Sequence, residues 1–109
     1  MVRKNMKQVE YVVPLGHDGR RRTRHESYEG KVTRFMVQYE ILAKGKWHPV
    51  VRYDTSHGYA HRDLIHPDGR KEKTELLSKD LNVCLTYAEN DLRANWRDYR
   101  ERFMKEVGT

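Results

Sequence analysis

Alternating apolar residues in mid-chain, turn dipeptides between the alternating runs and one long apolar repeat of threes and fours at the end predict an α+β fold. The form expected is an antiparallel, meander-like sheet of four to five strands packed against one long C-terminal helix. The 109 residues suit a single domain, 1–109, whose core is one sheet on one helix. Charged residues make up 35% and hydrophobic ones 37%, a balance that leaves a chain disordered unless aromatics add buried area. Two Trp, seven Tyr and two Phe supply it.

In chain order, Gln8 to Val13 reads as a first strand, with Val9, Tyr11 and Val13 alternating against Gln8, Glu10 and Val12, and Pro14 ending it. His17-Asp18-Gly19-Arg20 is a turn. The polar, basic stretch from Arg20 to Lys31 has no apolar period and is left open between a ragged hairpin arm and a mobile loop; residues 1–7 are expected to be flexible. From Thr33 to Ala43 the alternation is clean, with Phe35, Val37, Tyr39 and Ile41 opposite Arg34, Met36, Gln38 and Glu40. After the Lys44-Gly45-Lys46 turn, Trp47, Pro49, Val51 and Tyr53 face one way and His48, Val50, Arg52 and Asp54 the other. Pro49 places that end at an edge or a bulge. Tyr59 to His66 resumes the alternation, Pro67-Asp68-Gly69 turns the chain, and Arg70 to Leu76 is a polar last strand with lysines guarding an edge.

Leu81, Cys84, Leu85, Ala88, Leu92, Trp96, Tyr99 and Phe103 then form one stripe on a helix from about Asp80 to Lys105. Ser78 or Asp80 caps it, Glu89–Arg93 and Asp98–Arg102 pair along it, and Gly108 stops it. The lone Cys84 permits no internal disulfide, and no run of about 18 apolar residues occurs, so a cytoplasmic protein without a membrane anchor is expected.

The net charge of +6 is uneven. Residues 1–34 carry nine Lys/Arg against four Asp/Glu, residues 78–109 six against six. A basic segment of this kind suits a phosphate-bearing partner, through Arg20, Arg21, Arg22, Arg24, Arg34 and Arg62, with Tyr28, Tyr53 and Tyr59 as stacking surfaces. It equally suits a solvated face that keeps the chain dispersed.

The densest polar group is Arg52, Asp54, His57, His61, Arg62, Asp63, His66 and Asp68. Imidazoles titrate near neutrality, so His57, His61 and His66 are candidates for acid and base at an RNA 2′-hydroxyl, with Arg52 as the phosphate clamp. His61 and Asp63, two apart on a strand, are the natural start of a metal site with His57. No compact signature such as His-Glu-x-x-His accompanies them, and neither metal nor cofactor is expected. Asp54 to Gly58 also has a purely structural account as an Asx- or Ser-type turn.

The run Trp47-His48-Pro49-Val50-Val51-Arg52-Tyr53-Asp54, followed by His57, His61 and His66, resembles short, largely uncharacterised prokaryotic proteins and, more loosely, the TumE-type toxins of toxin–antitoxin pairs. The resemblance implies action on nucleic acid or translation under restraint by a partner protein, with Arg52, Asp54, His57 and His66 as the residues carried over. Two functions are therefore expected to compete. One is a small toxin-like ribonuclease with an antitoxin partner. The other is a non-enzymatic module that binds RNA, DNA or another protein. An exposed sheet edge or apolar helix surface near Trp96 would permit a homodimer.

Overall fold

A computed structural model describes residues 5–108; of the residues 1–7 expected to be flexible, 1–4 lie outside that range, while Met6 and Lys7 are held in a strand by pairing with Tyr28 and Ser27. Six strands follow one another both in sequence and in space: β1 (Met6–Leu15), β2 (Gly19–Tyr28), β3 (Lys31–Ala43), β4 (Lys46–Asp54), β5 (His61–Ile65) and β6 (Lys71–Glu75). Every neighbouring pair is antiparallel. The helix α1 (Leu81–Val107) closes one face by packing on β3 and β4.

The sheet thus has six strands where the alternation predicts four to five, and the additional one is β2. The stretch from Arg20 to Tyr28 that lacks apolar period is a regular inner strand, paired with β1 from Met6↔Tyr28 to Leu15↔Gly19 and with β3 on its other side. Its pleat still sets two faces, with Arg21 and the fully buried Thr23 both meeting Glu89 of α1. β1 also runs through Pro14, which an outer strand accommodates because its missing N–H can face solvent.

A bulge re-aims β4. Tyr39 pairs with Val51 but Glu40 pairs with Pro49, so Val50 is the extra residue and the facing of the chain reverses across it. Arg52 and Asp54 therefore share a face with Trp47 and Pro49, not with His48. This corrects the simple alternation read over residues 47–54.

The core is the α1-facing side of the sheet. Phe35, Val37, Tyr39, Ile41, Val51 and Tyr53 meet Cys84, Leu85, Ala88, Leu92 and Phe103, with Leu81, Trp96 and Tyr99 partly buried around them, which is the stripe expected of the helix. Asp80 caps α1 by accepting from the backbone N–H groups of Asn82 and Val83. At the other end Gly108 donates to Met104 O at 2.9 Å with φ −72°, so the stop uses no left-handed backbone. The expected pairs Glu89–Arg93 and Asp98–Arg102 are not formed among the described residues. Glu89 turns to Arg21 (3.2 Å), while Arg102 reaches across to Glu72 (2.8 Å).

Candidate functional site

The helix-free face of the sheet carries a layer of polar side chains in place of a second apolar core. Gln38 and Glu40 are only 3% and 4% exposed there, although no helix covers them. Their cover is arginine. Strand pleating puts Arg20, Arg22 and Arg24 on this face and sends Arg21 to the other. Arg20 Nε donates to Glu40 Oε1 at 2.7 Å, Arg22 Nε to Glu40 Oε2 at 3.0 Å, and Arg52 Nε to Gln38 Oε1 at 2.6 Å. Gln38 Nε2 donates to Glu40, which closes the network. The Arg20 guanidinium also lies 3.8 Å over the Trp47 ring, an attraction to the electron-rich face that holds the arginine flat. The methylene stems of these arginines bury the carboxylate and amide beneath them, and the charged heads stay at the surface.

Beside this layer opens a cleft of about 510 Å³, lined by Arg22, Arg24, Arg34, Arg52, Glu26, Asp54 and Ser56 among others. Two acidic groups temper its four arginines. Glu26 holds Arg34 at 3.0 Å, and Asp54 is engaged by His61. Arg24 is exposed and makes no ion pair among the described residues.

At the cleft's other rim, β4 pairs with β5 so that Asp54 lies opposite His61 and Arg52 opposite Asp63. His61 is 1% exposed, with Nε2 2.9 Å from Asp54 Oδ1 and 3.7 Å from Asp63 Oδ2. His57, exposed in the following loop, stands with its ring centroid 5.5 Å from that of His61, and Tyr59 is next to it. Asp54 Oδ1 accepts from the backbone N–H and hydroxyl of Ser56, and Gly58 takes φ +82°, as the structural account of this turn requires. Among the described residues no cluster of three or more His, Cys, Asp or Glu side chains could hold a metal ion.

The structure therefore brings Arg52, Asp54, His57 and His61 together, with Arg20, Arg22, Arg24 and Arg34 on the same face. It sends three other candidates elsewhere. Arg21 faces α1, pairing with Glu89, and Arg62 faces α1 as well, where Nη1 donates to the Tyr99 hydroxyl at 3.3 Å. His66 sits at the far end, its Nδ1 2.9 Å from Glu106 and its Nε2 against Glu72. Tyr53, offered as a stacking surface, is fully buried and donates to Asp91 Oδ2 at 2.6 Å, as does Tyr99 at 2.6 Å. Burial first, then the bond to Asp91, pushes both hydroxyls up, Tyr99 to about 12, so both stay protonated donors.

The residues missed by sequence reasoning are Glu40 and Gln38. One signal for them exists: Arg20 and Arg22 are two apart on one face of a strand, a spacing that invites a single acid on the neighbouring strand.

His66 gives a pH test away from the cleft. The bond to Glu106 first, then that to Glu72, raises its pKa above the ordinary 6.5. Its contribution to stability is then full below about pH 6.5 and is lost as pH rises through the elevated folded value. The melting temperature should fall over that interval by more in the natural chain than in His66→Gln. Equal falls in both would show that His66 is not the group responsible.

A family model described as a domain of unknown function (DUF7718) matches residues 6–109. No curated protein and no solved structure matches the chain.

Proposed function

The chain belongs to that family of unknown function, and from the site alone we propose that it binds single-stranded nucleic acid through the helix-free face of the sheet. One observation carries the reading: Arg22, Arg24, Arg34 and Arg52, from three different strands, line a single open cleft. Arginine forks suit phosphate oxygens, and several at one groove release counterions when a phosphate backbone enters. Outside the cleft's lining the protein carries two further aromatic groups, Tyr28, half exposed, and Trp47, beneath Arg20, on which bases would stack.

The test is fluorescence anisotropy with a labelled single-stranded RNA across a salt series. Arg24→Ala with Arg34→Ala should weaken binding roughly tenfold and flatten the salt dependence by about 1.4 in log–log slope, about 0.7 per lost phosphate contact. Arg93→Ala, exposed on α1, should change neither. Unchanged affinity in the double variant removes the proposal.

A toxin-like ribonuclease restrained by a protein partner is the second reading, favoured by the proximity of His57 to His61 beside Arg52. It has to work with one surface imidazole, since His61 is enclosed. Cleavage of the same RNA by the natural chain, abolished in His57→Ala, would turn the binding module into that enzyme.

A further inference from the structure

The sheet ends at β6, and every residue of that strand is exposed. Which backbone groups of β6 point outward follows from two bonds: His66 N–H donates to Arg70 O at 2.8 Å, and Leu76 N–H donates to Ala60 O at 3.0 Å. Even-numbered residues thus face β5, and Lys71, Lys73 and Glu75 present their N–H and C=O groups to the outside. Side chains follow the same parity. Glu75 lies opposite His61 and Lys73 opposite Asp63, so Lys71, Lys73 and Glu75 share the helix-free face.

Such an edge can take another strand, and its charges choose which one. For two copies related by a two-fold axis normal to the sheet, opposed residues come from the same face, so their numbers differ by an even amount. Centring the axis on Glu72, Lys73 or Glu75 opposes like charges, Glu with Glu or Lys with Lys. Centring it on Thr74 opposes Lys73 with Glu75 of the second copy twice over and Thr74 with itself, with no like pair. Hydrogen bonding is met by this centring as by any other on a residue, because outward-pointing odd residues always oppose odd residues, so the charges alone choose Thr74. Just beyond, Leu77 is 99% exposed and would meet the methylene stem of Lys71 from the other copy.

We propose that β6 pairs antiparallel with β6 of a second copy, about an axis at Thr74, to give a continuous twelve-stranded sheet. The proposal stands apart from the nucleic-acid reading but has a consequence for it. An axis normal to the sheet keeps both helix-free faces on the same side, so the dimer offers two arginine clefts to one ligand. A short edge pairing buries little area, which makes the dimer weak and concentration dependent. The lysines would otherwise serve as guards that keep the edge single.

Sedimentation velocity of the full chain, from about 1 to about 200 µM in low salt, decides between the two. The expected result is a rise from the 13.1 kDa monomer toward twice that mass. Lys73→Glu opposes Glu with Glu twice and should hold the protein at monomer mass, with far-ultraviolet circular dichroism unchanged and melting lowered only slightly, because position 73 also lies opposite Asp63 within the chain. Lys73→Glu with Glu75→Lys restores two opposite-charge pairs and should restore the dimer. A natural chain that stays monomeric throughout overturns the proposal, and so does a Lys73→Glu variant that dimerises as before. Failure of the charge swap to rescue overturns the axis at Thr74.

Discussion

Leu92→Ala is expected to lower the unfolding free energy by about 3 kcal/mol, and the melting temperature by about 15 °C. Leu92 lies at the middle of the α1 stripe with no exposed surface, over a sheet whose inward residues are largely aromatic and β-branched. Truncation removes the transfer energy of the lost carbons. It also leaves a cavity that ring side chains such as Tyr39 and Tyr53, both fully buried, collapse into poorly. Tyr53 is further tied to Asp91 on the helix itself, so it cannot swing inward without giving up that bond. The protein has little reserve to absorb this, because one helix supplies the whole apolar layer against a chain that is only 37% hydrophobic. Leu77→Ala removes the same carbons from a residue that is 99% exposed, and should stay within about 0.5 kcal/mol of the natural chain. Urea denaturation of both gives the comparison. A loss below 1 kcal/mol at Leu92 would mean that the helix is not the principal cover of the sheet.

That helix is the element most legible in the sequence, because its signals are local and redundant: a cap at Asp80, eight apolar residues on one stripe and a stop at Gly108. β3 is equally legible, since its alternation of Phe35, Val37, Tyr39 and Ile41 is buried as written. β2 is not, for a physical reason. Its side chains are charged on both faces, and what holds it is invisible in its own composition: ladders to β1 and β3, Glu89 reaching from α1 to Arg21, and Glu40 reaching from β3 to Arg20 and Arg22. The arginine run could be seen, but not its division between two faces, which depends on the strand existing. Likewise the turn joining two strands made the approach of Asp54, His57 and His61 conceivable, but spacing alone left it open, because it depends on the pairing of Asp54 with His61 across β4 and β5. The separation of His66 was readable, since it lies five residues beyond His61, at the other end of β5 and on the other face; its partner Glu106 on α1 was not.

Glu40→Gln should move stability and nucleic-acid affinity in opposite directions, which ties the polar layer to the cleft. In the natural chain one carboxylate, 4% exposed, holds Arg20 and Arg22 at once. Breaking a buried ion pair from one side costs about 3–5 kcal/mol when the surviving charge stays buried. Here the two guanidinium side chains are 27% and 35% exposed and can turn to water, so a loss of about 1–2 kcal/mol is expected, with Glu40→Ala at the upper end. Neutralising the acid also adds one positive charge to the helix-free face and frees Arg20 and Arg22 to meet phosphate. Binding of single-stranded RNA should therefore tighten several-fold at low salt, and its salt dependence should steepen. A structural carboxylate that merely restrains two arginines gives this opposed pair of outcomes. One that aims them at the ligand gives a loss of both stability and affinity in Glu40→Gln, and that result would place Glu40 among the residues that position the binding arginines. Urea denaturation and the anisotropy titration, run on the same preparation, separate the two.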